Sequence, residues 1–188
     1  MEIRQTSINY CISIDIMKKY EGSTLINHDW QQIAIAFWNR YPNKYSKHVL
    51  SEDILDRRID SHGQLITKRL FVKTNSCPRW IERLMQTKNV HIIEESVFDP
   101  LRRTLTTITR NLGATNLLTI EEVCVYKPHK SEENTTVLER TAVFDSKLSG
   151  FKKLAVLRLS FERYKHNIKR TDLGFRQVIQ GLFRKQDI

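Results

Sequence analysis

No stretch of the sequence approaches the ~18–20 consecutive apolar residues that a membrane-spanning helix needs, so no transmembrane helix is expected. Cysteine is scarce. Cys11, Cys77 and Cys124 are odd in number, far apart and without a Cys-x-x-Cys pair, which argues against a disulfide framework and a zinc site. Cys124 falls in an apolar strand and reads as a buried thiol. His28, His48, His62, His91, His129 and His166 are scattered without metal-ligand spacing. Catalytic signatures are missing too: there is no Gly-x-Ser-x-Gly, His-Glu-x-x-His, phosphate loop or dinucleotide fingerprint. A Cys–His nucleophile pair stays open. Repeats, low-complexity segments and linkers are absent. Acid is in short supply, with 21 Asp and Glu against 31 Lys and Arg, a formal net charge of +10. That implies an anionic partner, whether nucleic acid, acidic lipid surface or phosphorylated ligand, without choosing among them.

What is present suffices for one domain with a real core: 188 residues, 40% of them hydrophobic. The most informative stretch runs from Trp30 to Leu55. Trp30, Ile33, Ala34, Phe37 and Trp38 fall at i, i+3, i+4, i+7 and i+8, a thick apolar helical stripe. Arg40-Tyr41-Pro42-Asn43 stops that helix, because Pro42 removes an N–H and pushes Tyr41 out of helical geometry. Lys44, Lys47 and His48 follow before a strand starts near Val49. An apolar wall therefore ends in cationic or titratable groups. The pattern suits a ligand with a greasy body and an anionic head; on physical grounds alone the plainer reading, a core helix followed by a solvated turn, comes first.

The remaining elements are strands in series. Met17 to Ile26 reads as the first, leading to a helix with Asn27 as N-cap and Asp29 favouring its positive end. Val49 to Ile59 and Leu65 to Lys73 form a hairpin about Ser61-His62-Gly63. Leu65, Thr67, Arg69 and Phe71 share one face of the second of these strands. Pro78 fits the first turn of a short helix, Arg79 to Met85. Further strands are expected at Val90 to Val97, Thr104 to Arg110, Leu117 to Tyr126 and Thr135 to Phe144. A long helix from Gly150 to Phe183 closes the series, with Phe161, Tyr164, Ile168, Phe175, Val178, Ile179 and Leu182 as its apolar stripe. Arg163, Asn167 and Arg170 stand at i, i+4 and i+7 on it, a polar row beside Tyr164 and Ile168 that fits one wall of a cavity or a solvated edge. The fold class is α+β: a curved antiparallel sheet of about seven strands around a long C-terminal helix.

Several segments together resemble the PRELI domain of lipid-transfer proteins in the mitochondrial intermembrane space. They are Ala36-Phe37-Trp38, Arg40-Tyr41-Pro42-Asn43, Tyr45-Ser46, His48-Val49-Leu50, Asp53-Ile54, Lys73-Thr74-Asn75, Pro78-Arg79-Trp80, Glu94-Glu95-Ser96-Val97, Asp99-Pro100, Thr109-Arg110-Asn111-Leu112 and Glu121-Glu122. The resemblance runs from about Met17 to Leu182. It implies a helix-grip fold with a lipid cavity between sheet and helix, and a division into an N-terminal extension of unknown role (1–16), a lipid-transfer domain (17–183) and a short tail (184–188). Met1 to Ile16 itself carries one Arg and two acids and no long apolar core, so it does not read as a targeting signal.

Residue by residue, the resemblance makes Arg40, His48, Lys73, Arg163, Asn167 and Arg170 headgroup-binding, with Arg40 reaching the phosphate deep in the cavity. Asn75, Ser76, Cys77, Pro78 and Trp80 correspond to the family's lid. Ser76 departs from the pattern, where a basic residue is common, and Lys44 replaces a frequent proline. The Tyr45 to Leu50 and Lys73 to Trp80 stretches resemble the phosphatidic-acid-transferring PRELI branch. The expected function is carriage of phosphatidic acid between mitochondrial membranes, feeding cardiolipin synthesis. The alternatives are phosphatidylserine as cargo, a basic nucleic-acid-binding module, and a small-molecule enzyme on a similar helix-grip fold. The nucleic-acid class lacks an aromatic-plus-basic signature. The resemblance further implies a transient encounter with anionic membrane, a small helical heterodimer partner with twin Cys-x9-Cys motifs, and no metal, cofactor, catalysis or nucleic acid.

Overall fold

The computed structural model describes residues 17–74 and 89–183. The expected short helix from Arg79 to Met85, the lid residues Asn75, Ser76, Cys77, Pro78 and Trp80, and both terminal segments lie outside the described residues. Seven strands, β1 (Lys18–Ile26), β2 (Val49–Ile59), β3 (Leu65–Thr74), β4 (Asn89–Asp99), β5 (Thr104–Asn111), β6 (Thr119–Pro128) and β7 (Thr136–Asp145), form one sheet in the order β1-β7-β6-β5-β4-β3-β2. Every pairing is antiparallel. β2 to β7 are a simple meander, while β1 pairs with β7 at the far edge. The chain's first two strands are thus opposite edges of the sheet, and helix α1 (Trp30–Trp38) bridges them. The α+β reading with a curved antiparallel sheet and a long C-terminal helix holds. That helix, α2, spans Gly150–Leu182, about 50 Å at ~1.5 Å per residue.

α1 starts later than the sequence suggests. Its N-cap is Asp29, whose side chain accepts the Gln31 amide at 2.7 Å. Asn27 is not the cap, because the chain is still turning there, with the His28 amide bonded to the Ile26 carbonyl. Trp30, Ile33, Ala34, Ala36 and Phe37 are its buried face. All but Ala34 join Leu105, Cys124, Tyr126 and Leu138 of the sheet and Phe175 and Ile179 of α2 in one core cluster. Each large side chain buried there contributes about 1.5–3 kcal/mol. The earlier half of α2 has its own cluster, where Leu157 packs on Ala142 and Phe144 beside Phe161 and Tyr164. Leu182, read as part of the stripe, is instead 46% exposed, and the neighbouring Phe183 packs on the core cluster in its place.

The hairpin between β2 and β3 forms as expected. Asp60 accepts the His62 and Gln64 amides, each at 2.9 Å, and Gly63 takes φ +76°. The outer face of the sheet carries a ladder of solvated ion pairs, Lys68–Glu95–Arg110–Glu121, which sums to zero and leaves the basic excess to other residues.

The loop after α1 is fixed by Asn43, whose amide donates to the Arg40 carbonyl at 2.7 Å and whose oxygen accepts from the Tyr45 amide at 2.9 Å and the Ser46 hydroxyl at 3.0 Å. α2 passes so close that a Cβ on Gly174 would lie 2.7 Å from that oxygen. Gly181 has open space around it. Alanine substitutions should therefore have opposite signs. G181A is expected to gain about 0.5–1 kcal/mol from helix propensity. G174A is expected to lose about 1 kcal/mol net, since the clash outweighs that gain. Urea denaturation of the two variants checks this, and equal gains would show that the Asn43 turn yields freely.

Candidate functional site

Between the concave face of the sheet and α2 lies a cavity of about 470 Å³, within the range of ligand sites. Its apolar walls come from both sides, among them Phe71, Ile92 and Ile120 on the sheet and Val156, Ile168 and Phe175 on α2. Arg40, His48, Lys73, Arg163, Asn167 and Arg170 all line this one cavity. Chain topology explains the meeting: Arg40 follows the end of α1, His48 precedes β2, Lys73 lies near the end of β3, and the other three share the inward edge of α2.

His48, Asn167 and Arg170 are exposed, Lys73 and Arg163 half-buried, and Arg40 only 9% exposed. The polar residues therefore run from the rim inward. Arg170 donates to the Tyr45 carbonyl at 3.3 Å. Neither it nor Lys73 has a carboxylate within ion-pair distance among the described residues. Partial burial, and then the positive charges of Lys73 and Arg170, hold the His48 imidazole below its ordinary pKa. Three groups able to carry positive charge thus face each other across the rim, an arrangement an anion relieves.

Arg40 sits differently. Its Nη2 lies 2.5 Å from Glu94 Oε2, and its guanidinium packs over Phe37, Tyr41 and Phe71. Glu94 Oε1 in turn accepts from Arg69 Nη2 at 2.5 Å, and Arg69 Nη1 also pairs with Glu52. Burial opposes charge on Arg40, Arg69 and Glu94. It is the largest single influence on both Arg40 and Glu94, yet for Arg40 it is outweighed by Glu94 together with Tyr41, Tyr126 and Glu52, which raise the pKa; for Glu94 the two arginines, with Lys73, outweigh it and keep the carboxylate ionised. The sequence reading places Glu94 only in a family-like segment and Arg69 only on a strand face, with no site role for either.

A second charged group is also missing from that reading. Arg140 Nε lies 3.3 Å from Glu122 Oε1 and its Nη2 3.3 Å from Asp172 Oδ1, while the Tyr164 hydroxyl donates to Glu122 at 2.5 Å. Burial, with Glu122 beside it, pushes the Tyr164 phenol well up and keeps it a donor. Both groups follow from strand register: Arg69 faces Glu94 across β3–β4, and Cys124 faces Arg140 across β6–β7. The Cys124 thiol is buried and pushed up to about 12, by burial first and then by Glu122, which makes it a poor nucleophile. Among the described residues no cluster of His, Cys, Asp and Glu could hold a metal, and no helix is long and apolar enough to cross a membrane.

A family model described as the PRELI-like family matches residues 31–186. The chain belongs to the PRELI-like family. Its PRELI relatives include PRELI domain-containing protein 1, mitochondrial, of Bos taurus, 39% identical over 170 residues, which are 89% of this chain and 77% of that protein. Protein UPS1, mitochondrial, of Saccharomyces cerevisiae is 36% identical over 164 residues, 87% of this chain and 93% of the relative. Protein UPS2, mitochondrial, of the same yeast is 32% identical over 169 residues, 87% and 73% of the two chains. The expectation of a PRELI-family lipid-transfer protein of mitochondria holds, and the intermembrane space agrees with these relatives.

Solved structures extend the likeness to fold alone. TTHA0849 from Thermus thermophilus aligns with TM-score 0.59 at 15% identity, over 88% of this chain and 99% of that one. The Zhui aromatase/cyclase from Streptomyces sp. R1128 aligns with TM-score 0.51 at 12% identity, over 88% and 93%. One of these neighbours is named as an enzyme, so the fold by itself does not separate carrier from catalyst.

Proposed function

We propose that this PRELI-family protein extracts phosphatidic acid from one mitochondrial membrane and delivers it to another, outer to inner, supplying cardiolipin synthesis. The observation that carries the reading is the placement of Arg40, His48, Lys73, Arg163, Asn167 and Arg170 along one cavity that also has apolar walls, among them Phe71, Ile92, Ile120, Val156, Ile168 and Phe175. Two acyl chains of about 16 carbons cost on the order of 25 kcal/mol to move from bilayer to water, at ~0.8 kcal/mol per methylene. A carrier must replace that environment and must pair the phosphate, because an isolated charge in a dry site is very costly. Arginine forks match phosphate oxygens two at a time, and the rim cations would attract the headgroup to the mouth. The lid would be the segment containing Asn75, Ser76, Cys77, Pro78 and Trp80. A small helical protein with twin Cys-x9-Cys motifs would stabilise the domain. The cycle needs no catalytic step, metal or cofactor.

The test is transfer of fluorescent phosphatidic acid and phosphatidylserine between liposomes by protein co-expressed with such a partner. Faster transfer of phosphatidic acid supports the proposal. Preference for phosphatidylserine keeps the carrier and changes the cargo. Transfer of neither lipid by folded complex sinks the carrier reading, and salt-dependent binding to nucleic acid in a filter assay would replace it.

His48 makes the binding pH-dependent. Its pKa in the empty protein lies below the ordinary value through partial burial and because Lys73 and Arg170 repel its charged form. A bound phosphate offsets that repulsion and raises the pKa, so binding takes up a proton as pH falls through the histidine range. Affinity for phosphatidic acid should rise by about threefold more between pH 7.5 and 5.5 in the wild type than in H48Q. The variant accounts for the lipid's own titration, and parallel pH profiles would remove His48 from the site.

A further inference from the structure

The cavity already contains an anion where the phosphate is to go. Glu94 lines the cavity on β4 and uses its two oxygens on two different guanidiniums: Oε2 on Arg40 Nη2 at 2.5 Å, Oε1 on Arg69 Nη2 at 2.5 Å and Nε at 3.2 Å. The side chains involved are 7%, 11% and 2% exposed for Glu94, Arg40 and Arg69. With Glu52 on the far side of Arg69, the four charges sum to zero. At Arg40 an incoming phosphate therefore does not find an unpaired guanidinium. It finds Arg40 neutralised by Glu94, with the carboxylate still beside it. Arg40 keeps spare donor capacity, since Nη1 makes only a long 3.5 Å contact with the Phe37 carbonyl among the described residues.

We propose that Glu94 is the resident counter-anion of the headgroup site, which holds Arg40 and Arg69 in place while the cavity is empty and competes with the lipid phosphate for Arg40 when it is full. This rests on the phosphatidic acid reading and deepens it. A carrier must release its cargo as well as bind it. A fixed negative charge next to the ligand's own lowers affinity and speeds departure, and it returns Arg40 to a paired state as the lipid leaves, so the arginine is never buried alone. Arg69, which does not line the cavity, anchors the other oxygen, so Glu94 can turn from Arg40 without losing both partners.

The experiment uses the full chain with its partner, nitrobenzoxadiazole-labelled phosphatidic acid as probe, and two readouts: equilibrium affinity and the rate of release to excess acceptor liposomes. E94Q keeps the shape and removes the charge. It is expected to bind about tenfold more tightly and to release correspondingly slowly. E94D keeps the charge on a shorter arm, loosens its hold on Arg40, and should move both readouts by a smaller amount in a folded protein. E139Q, at the outer-face pair with Lys127, is the control and should leave both readouts unchanged. Tighter binding with slower release is a result that loss of structure does not produce. If the wild type binds phosphatidic acid and folded E94Q binds equally or more weakly, the inference is overturned and the carrier reading stands. If E94Q does not fold, E94D decides, and binding no tighter than wild type overturns the inference. Absence of binding by the wild type overturns both.

Discussion

Replacing Arg69 with methionine is expected to lower stability by about 3–5 kcal/mol. Arg69 is 1% exposed, and its guanidinium serves both Glu94 and Glu52. Methionine fills much of the volume but leaves Glu52 without its partner and Glu94 with Arg40 alone, so negative charge is stranded in a dry site. Urea denaturation followed by circular dichroism measures the loss. R69K should recover only part of it, because an ammonium restores the charge and not the fork that spans two carboxylates. The pH dependence has a definite sign. Glu94 titrates below its unfolded value, so its contribution is fully present above the ordinary carboxylate range and disappears as pH falls through the folded pKa. Acid should therefore cost the wild type more than R69M. A loss under ~1 kcal/mol in R69M would mean that the network contributes little to the fold.

The second large effect is on lipid. Arg40→Gln is expected to reduce phosphatidic acid transfer by about 100-fold, the loss of a desolvated, charge-assisted fork, with a folded far-ultraviolet spectrum. Folding should survive better than in R69M, because Glu94 keeps Arg69 when Arg40 is gone. Arg170→Gln should do less, since that side chain is exposed at the rim and screened by water. The contrast between the two arginines separates headgroup capture deep in the cavity from attraction at its mouth. Equal losses would favour a rim site, with the buried pair serving the fold alone.

The elements were legible because their periods are strong. The 3.6-residue stripe of Trp30, Ile33 and Phe37 and the two-residue alternation of Thr67, Arg69 and Phe71 each reappear as buried faces. Boundaries moved by a residue or two where a local bond decides, as when Asp29 rather than Asn27 capped α1. The shared face of Arg163, Asn167 and Arg170 could be read from helical spacing on α2, while Arg40 and Lys73 were singled out by family resemblance. The structure shows all five lining the cavity, and their action on a headgroup is the proposal. What stayed hidden was pairing between distant strands. Arg69 and Glu94 oppose each other only because β3 and β4 pair in one register, and residues 75–88 separate the two strands in the sequence, too many for a two-residue hairpin signal to set it. The β2–β3 register was readable because Asp60 and Gly63 make a tight turn. Arg140 and Asp172 meet across a sheet-to-helix contact that no local pattern encodes. A buried arginine on a strand's inward face was the available signal, since such a charge needs a partner.

The most direct measurement is native mass spectrometry of the protein after incubation with liposomes containing equal parts phosphatidic acid, phosphatidylserine and phosphatidylcholine. A cavity built for one anionic phospholipid predicts a single lipid adduct per chain, dominated by phosphatidic acid and lost in R40Q. Failure to acquire any lipid, or an adduct that follows the liposome composition and persists in R40Q, would contradict a phosphate site at Arg40.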